Sequence, residues 1–502
     1  MTEPLRIAYA VAEAYPWCMT GGLAEVSGAL PQALRESGAE VSVFLPLYRE
    51  VKRKVETSGS LLVDTGAKSG VWLGPHYIEG RFLRILGPQA GATGSGAPGS
   101  DVPTYAFDCP VLFDREGLYG HPDDVARFST FCRAVLDCST ELMGGAPDVF
   151  HVHDWHTALI PVYLSGPYRD RLPNAASVLT IHNLGYQGVF PNHELLVAGL
   201  GWEHYTIEKM EFFGRINLMK GGIATTDALT TVSPRYAQEI QSSLFGERLE
   251  GMLATHKNKL SGILNGVDTQ AWNPSTDPLI PANYDINSLD GKTACRNSLL
   301  ESARFDTWDR TPVFGVISRF ARQKGIDLVA EIVPWLAQRG VRLLVLGQGE
   351  AALEEWLRYL ERQFPNNVRV RFAHEPSLAH AMQAGCDAIL MPSRYEPCGL
   401  GQLYAMRYGT VPIVRAVGGL LDTVVETPVS QVSDGQATGF RYHEDTTAGL
   451  QAAIDRALSV FYTAPDSWRQ IQLNGMRQDF SWDRSAGDYI EVFQSAIARR
   501  RA

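Results

Sequence analysis

No stretch of this sequence approaches the run of about 20 apolar residues that a membrane-spanning helix requires, so a helical membrane protein is not expected. The amino terminus, MTEPLRIAYAVAEAYP, lacks the basic start and the small-residue cleavage site of a secretory signal and passes directly into a strand-like segment. A cytoplasmic protein is the expectation. Disulfide patterning is missing as well. The seven cysteines (Cys18, Cys109, Cys132, Cys138, Cys295, Cys386 and Cys398) are odd in number, scattered and never spaced as Cys-x-x-Cys, which argues against both a disulfide frame and a cysteine zinc site. Nor is there an excess of positive charge. A formal net charge of −10 argues against nucleic acid as a general partner, since such binding relies on clustered Lys and Arg. Any anionic ligand must be held by a few local cations. Internal repeats with solenoid or propeller periods are absent.

What remains is an ordinary globular composition, 45% hydrophobic and 20% charged over 502 residues, long enough for two or three units of roughly 150 residues and read most simply as two large domains. Short β-type runs alternate with helical patterns. RIAYAVAE, EVSVFLP, DVFHVHD, SVLTIHN, LTTVS and LSGILNG fall in the first half, and PVFGVISR, VRLLVLG, VRVRF, DAILMPS, VPIVR and TGFRY in the second. This alternation predicts α/β architecture, two doubly wound units with parallel sheets covered by helices. Val329, Ile332, Val333 and Leu336 recur at helical spacing and predict a helix over Ile326 to Gln338. The stretch from Asn273 to Asp290, rich in Pro, Asn and Asp and without periodicity, is where the domain junction is expected. Residues 87–101, GPQAGATGSGAPGSD, read as a mobile surface loop within the first domain.

Ligands of open α/β sheets gather at the carboxyl ends of the strands. After the first strand come Thr20, Gly21 and Gly22, then Leu23, Val26 and Leu30 at helical spacing. Paired glycines let a backbone approach a ligand and present N–H groups to an anion, or simply make a tight turn. In HVHDWH, His151 and His153 alternate onto one strand face. They are either metal ligands, for which further ligands are missing, or a structural His151 beside a His153 that hydrogen-bonds in a cleft while Asp154 and His156 shape the loop. Arg319 and Lys324 in SRFARQKG flank a strand-to-helix turn. At an effective dielectric near 20 and about 4 Å, each gains roughly 4 kcal/mol against a phosphate charge before desolvation. The turn Gly347 to Glu350 follows the next strand. SRYEPCGLGQL then supplies an acid, Glu396, and glycines 399 and 401 entering a helix, and Gly418 and Gly419 repeat the paired-glycine turn. A carboxylate for sugar hydroxyls beside a phosphate cradle suggests a nucleotide-sugar site.

Together TGGL, HVHDWH, TIHNLGYQG, TVSPRYAQEI, LNGVD, SRFARQKG, PSRYEPCGLGQLYAMRYGTVPIVRAVGGLLDTV and DFSWDRSAGDY resemble, nearly end to end, the bacterial glycogen synthases and the related plant starch synthases. The resemblance implies two Rossmann-like domains facing each other across a deep cleft, the glycosyltransferase B type. The expected limits are 1–275 for an acceptor-side domain, 276–480 for a nucleotide-sugar domain, and 481–502 for a last helix crossing back to the first. It implies retaining transfer of glucose from ADP-glucose to the nonreducing end of an α-1,4-glucan, without metal or other cofactor. By motif, Arg319 and Lys324 would hold the distal phosphate and stabilise the leaving diphosphate, and Glu396 would bind glucose hydroxyls. Leu400 and Gly401, in the turn that begins at Cys398 and Gly399, would meet the phosphates through their backbone. His153 would contact the glucose near the reacting carbon, with Asn265 close to the sugar, and Thr20, Gly21 and Gly22 would close over the donor. Tyr404 occupies the position where more distant retaining transferases carry a second glutamate. With no carboxylate nucleophile evident, the implied mechanism is front-side displacement assisted by leaving-group oxygens.

Two positions depart from the family pattern: Met19 where it has Lys, and Glu25 where it has Asp. A missing cation removes up to roughly 4 kcal/mol of gross attraction for the donor. The same fold using another donor such as UDP-glucose, or a weakly active or non-catalytic glucan-binding paralogue, are therefore the alternatives. Oligomeric state is not legible.

Overall fold

The structure, a computed structural model, describes residues 4–73, 75–87, 102–306, 310–426, 428 and 436–502. Apart from Gly87, the glycine-rich stretch 87–101 expected as a surface loop lies outside them. The chain divides into two units, one of Met1–Val232, Ala237–Gly266 and Trp482–Ala502, the other of Ser233–Tyr236 and Val267–Ser481.

In the first unit the strands are β1 (Arg6–Ala10), β2 (Glu40–Pro46), β3 (Leu61–Leu73), β4 (His76–Leu86), β5 (Thr104–Asp108), β6 (Val149–His153), β7 (Ala176–Ile181), β8 (Val189–Pro191), β9 (Glu211–Phe212), β10 (Arg215–Asn217), β11 (Ala228–Thr231) and β12 (Leu260–Gly262). Nine of them form one sheet in the order β12-β11-β7-β6-β1-β2-β5-β4-β3. From β12 to β5 all neighbours are parallel. The central strands are apolar on both faces, with Ile7 to Ala10, Val149, Phe150 and Val152 wholly buried, as a sheet covered on two sides requires. On one side lie the helix Gly22–Glu36 and the final helix Trp482–Arg501. The latter buries Trp482, Ala486, Tyr489, Phe493 and Ala496 at helical spacing. Ser485 Oγ donates to Leu264 O at 2.6 Å, and Arg499 donates to the carbonyls of Asp227 and Asn258.

The antiparallel pair β3–β4 was not anticipated from the sequence. Ala67, Ser69 and Val71 face the helix Asp124–Leu142 while their neighbours face water, but the register shifts between Asp64 and Lys68 and interrupts the alternation that would have marked the strand. The small sheet β8-β10-β9 is made of segments of two or three residues, too short to carry a period.

The second unit holds β13 (Val313–Ile317), β14 (Arg342–Gly347), β15 (Val368–Phe372), β16 (Ala388–Met391), β17 (Val411–Arg415) and β18 (Phe440–Tyr442), all parallel, in the order β15-β14-β13-β16-β17-β18. Counted within the unit this is 3-2-1-4-5-6, the dinucleotide-fold order, whose direction reverses between β13 and β16. The helix Ile326–Gln338 forms where the spacing predicts it and buries Val329, Ile332, Val333 and Leu336.

The change of unit falls at Gly266–Val267 and Ser481–Trp482, and the segment Asn273–Asp290, taken from the sequence as the junction, is packed within the second unit. Asp277 accepts hydrogen bonds from Tyr408 Oη at 2.6 Å and pairs with His380 Nδ1 at 2.7 Å, while Tyr284 Oη donates to Tyr408 O at 2.8 Å. Trp272 lies between the rings of His380 and Tyr404, at 3.8 and 3.9 Å. Buried polar partners, which leave no hydrophobic period, order this stretch. Asp277→Asn keeps one acceptor and loses the charge-assisted contact to the imidazole. It should lower stability by about 2 kcal/mol, read as a shifted urea midpoint with unchanged slope.

Candidate active site

At the strand-order reversal of the second unit, the loops after β13 and β16 are pressed together. Gly325 adopts φ +68°, and a Cβ there would lie 2.2 Å from Pro392 O, so only glycine fits. This contact brings Lys324 to Glu396: Nζ donates to Oε2 at 2.6 Å, and Ser393 Oγ donates to the same oxygen at 2.9 Å. The carboxylate is 5% exposed, which makes a charged partner a requirement of folding. Arg394 braces the loop from behind by a two-pronged contact to Asp327 at 2.8 Å on each branch.

Arg319 is exposed, and among the described residues its side chain makes no hydrogen bond or ion pair, while its carbonyl accepts from Ser318 Oγ at 3.1 Å. Its loop is nonetheless fixed. Phe320 N donates to Gln348 O at 2.9 Å and Glu350 N to Phe320 O at 2.8 Å, which ties it to the turn Gly347 to Glu350. Phe372 packs on Phe320 and lies under the Arg358 guanidinium.

Farther along, Gly418 has φ +44° and a Cβ would meet Glu396 O at 2.0 Å, while one on Gly419 would meet Cys398 O at 2.1 Å. This glycine pair is demanded by packing, because it seats the Glu396–Cys398 backbone. Gln402 holds the turn by donating to Cys398 O at 3.1 Å and Gly399 O at 2.9 Å, and Gly399 takes φ +72°. Leu400 caps the helix Gly401–Arg407. Tyr404, at the second-glutamate position, is stacked on Trp272 and belongs to the packing of the unit.

In the first unit, Gly21 and Gly22 have the opposite character. A Cβ on either would meet nothing within 4 Å, and neither takes a positive φ. The chain's own packing makes no demand for glycine at either position. Thr20 donates through N and, at 2.7 Å, through Oγ1 to the buried carboxylate of Glu13, as Gly21 N does at 3.3 Å. The amides of Thr20 and Gly21 are thus occupied by the chain's own carboxylate, a residue not singled out from the sequence, where it is an acid closing the run RIAYAVAE. Partial burial and, less strongly, the neighbouring Glu13 push the Glu50 carboxyl above its usual range, against the Met19 N–H that donates to it. Met19 therefore sits among carboxylates.

The histidines form a buried chain. His151 Nε2 meets Thr180 Oγ1 at 2.7 Å, and its ring lies 5.2 and 5.0 Å from Tyr489 and Phe493, a structural position. His153 Nδ1 meets His182 Nε2 at 3.0 Å. His153 is 0% exposed and His182 9%, so alternation found the face of His153 but not its depth. Burial holds His153 well below the ordinary imidazole range and His182 at about 3; both act as neutral hydrogen-bonding rings. Asp154, at φ +53°, accepts His182 N at 2.8 Å and Asn183 N at 3.4 Å, and burial raises its carboxyl to about 7. His182 stands within TIHNLGYQG but was given no role from the sequence. His153 Nε2 and Asn265 Oδ1 are buried and have no hydrogen-bond partner among the described residues. Among the described residues no group of three or more His, Cys, Asp or Glu is placed to hold a metal ion, and no helix is long and apolar enough to cross a membrane.

Two α/β units, the second with dinucleotide-fold strand order and an acid–cation pair at its reversal, define a glycosyltransferase of the B type. Residues 6–255 match the starch synthase catalytic domain model and residues 301–460 the glycosyl transferases group 1 model. The chain is 40% identical to a glycogen synthase of Thermotoga maritima, covering 99% of each, and 41% identical to one of Koribacter versatilis, covering 98% of each. Among solved structures it is similar to the catalytic domain of starch synthase IV from Arabidopsis thaliana, bound to ADP and acarbose. The TM-score is 0.88 and the identity 29%, with 99% of this chain and 100% of that one covered. The chain belongs to the glycogen and starch synthase family.

Proposed function

We propose that the protein transfers glucose from ADP-glucose to the nonreducing end of an α-1,4-glucan with retention of configuration. The observation that carries this reading is the Lys324–Glu396 pair at the strand-order reversal, with an unengaged Arg319 on the preceding loop. Arg319 and Lys324 take the phosphate charge of the donor and stabilise it as it grows on the leaving diphosphate. Glu396, already fixed by Ser393, accepts from the hexose hydroxyls. The backbone from Cys398 to Gly401 faces the phosphates. In the first unit Asn265 Oδ1 and the His153–His182 pair supply neutral contacts to the sugar, and the loop of Thr20, Gly21 and Gly22 offers two positions without side-chain bulk beside a threonine held by Glu13. Transfer proceeds by front-side displacement, and no metal or other cofactor takes part. The glycogen synthase relatives and the ADP-bound starch synthase support donor and acceptor alike.

The test is incorporation of labelled glucose into glycogen from ADP-glucose and from UDP-glucose under identical conditions. Incorporation chiefly from ADP-glucose is expected; none at high donor concentration overturns the reading. Met19→Lys restores a cation among Glu13 and Glu50 and should raise kcat/KM for ADP-glucose about tenfold, a fraction of the gross attraction of one cation for a phosphate. A fall would mean that the loop is built around methionine.

A further inference from the structure

The outer face of the β3–β4 hairpin carries two aromatic rings that the fold does not cover. Trp72 and Tyr77 are directly opposite across the strands, with ring centroids 5.3 Å apart, and are 67% and 53% exposed. A cross-strand contact explains why they touch but not why two large rings stay in water. Gly70 lies on the same face, and a Cβ there would fall 2.1 Å from Tyr77 Oη and 2.4 Å from the ring. The missing side chain thus lets the tyrosine lie across the strand with its other face open. The charges around them pair and leave one carboxylate in excess: Lys68 pairs with Glu79 at 3.6 Å, and Arg81 with Asp64 at 2.8 Å and Asp108 at 3.4 Å. A face of open rings whose charges are paired, with one carboxylate in excess, suits a neutral ligand with apolar and hydroxylated surfaces, and neither a nucleic acid nor an anionic membrane.

We propose that Trp72 and Tyr77 form a second glucan-binding site, where sugar rings of an α-glucan chain stack on the two aromatic faces; this rests on the glucan-transferring function proposed above. In the sheet order β3 is an edge strand four places from β1, about 19 Å at the usual strand spacing, so the rings lie well away from the loop that follows β1. A polymer can occupy both places, whereas maltose cannot. A second contact of this kind raises the effective concentration of polymer at the enzyme without altering chemistry on a short acceptor.

The double variant Trp72→Ala, Tyr77→Ala tests this by mobility in native gels cast with and without glycogen, and by acceptor kinetics. Retardation by glycogen should weaken, and KM for glycogen rise, by about tenfold, while kcat/KM with maltose stays within about twofold. Unchanged retardation overturns the proposal, as does an equal loss with maltose. A change in oligomeric state with unaltered glycogen affinity makes the pair a protein contact and overturns it as well. Should the double variant fail to fold, Trp72→Thr, suited to the outer face of a strand, is read in the same gels, with at least about a threefold loss of retardation expected and none overturning the idea. The gels need no transfer reaction, so they decide this site even if the wild type transfers glucose from no nucleotide sugar.

Discussion

Arg319→Ala is expected to lower kcat/KM for the nucleotide sugar by about a hundred- to a thousandfold, the usual effect of removing one preorganised donor to developing charge. Stability should change by no more than about 0.5 kcal/mol. The separation of the two effects is the point. Arg319 is exposed, and its side chain makes no hydrogen bond or ion pair among the described residues. Its loop is set by the backbone of Phe320 and the turn Gly347 to Glu350. Lys324→Met should also abolish most activity, but it leaves Glu396 buried with Ser393 as its remaining side-chain donor and should destabilise by about 1 to 3 kcal/mol more. Donor kinetics and urea unfolding on both variants measure this. Equal losses of stability would mean that Arg319 is a structural residue, and retained activity in Arg319→Ala would remove it from the donor site.

Asp154→Asn should make the protein more stable above neutral pH. Burial lifts the Asp154 carboxyl from about 3.8 in the unfolded chain to about 7 in the fold. The folded chain therefore holds this proton more tightly. The associated stabilisation is whole below about pH 4 and is lost as pH rises to about 7, at roughly 1.4 kcal/mol per unit and roughly 4 kcal/mol in total. Asparagine keeps an acceptor for His182 N, tolerates the left-handed backbone at φ +53°, and has no proton to lose. Unfolding midpoints of wild type and variant should diverge between pH 4 and 7 and stay apart at pH 8. Parallel curves over that range would mean that Asp154 is ionised in the fold at no cost.

The parallel strands were legible because a sheet buried on both faces writes itself as unbroken apolar runs, and RIAYA and RLLVLG are of that kind. Lys324 and Glu396 could be singled out because each sits just past such a run, although 72 residues separate them. What the sequence hid follows from contacts without a period. Asp277 meets His380 from 103 residues away, so its segment reads as a linker. The burial of His153 depends on what the neighbouring loops stack over it, and Glu13 takes the Thr20 and Gly21 amides only because the chain doubles back. The glycines divide along the same line. Gly418 and Gly21 look alike in the sequence, yet one is fixed by its neighbours and the other by empty space.

The cysteines of this chain, all free and all buried, sit as four in the first unit (Cys18, Cys109, Cys132, Cys138) and three in the second (Cys295, Cys386, Cys398). A thiol reagent therefore finds no target on the native surface, and each sulfur that reacts marks an opening of the unit around it. The molecule carries its own set of probes for which half loosens first.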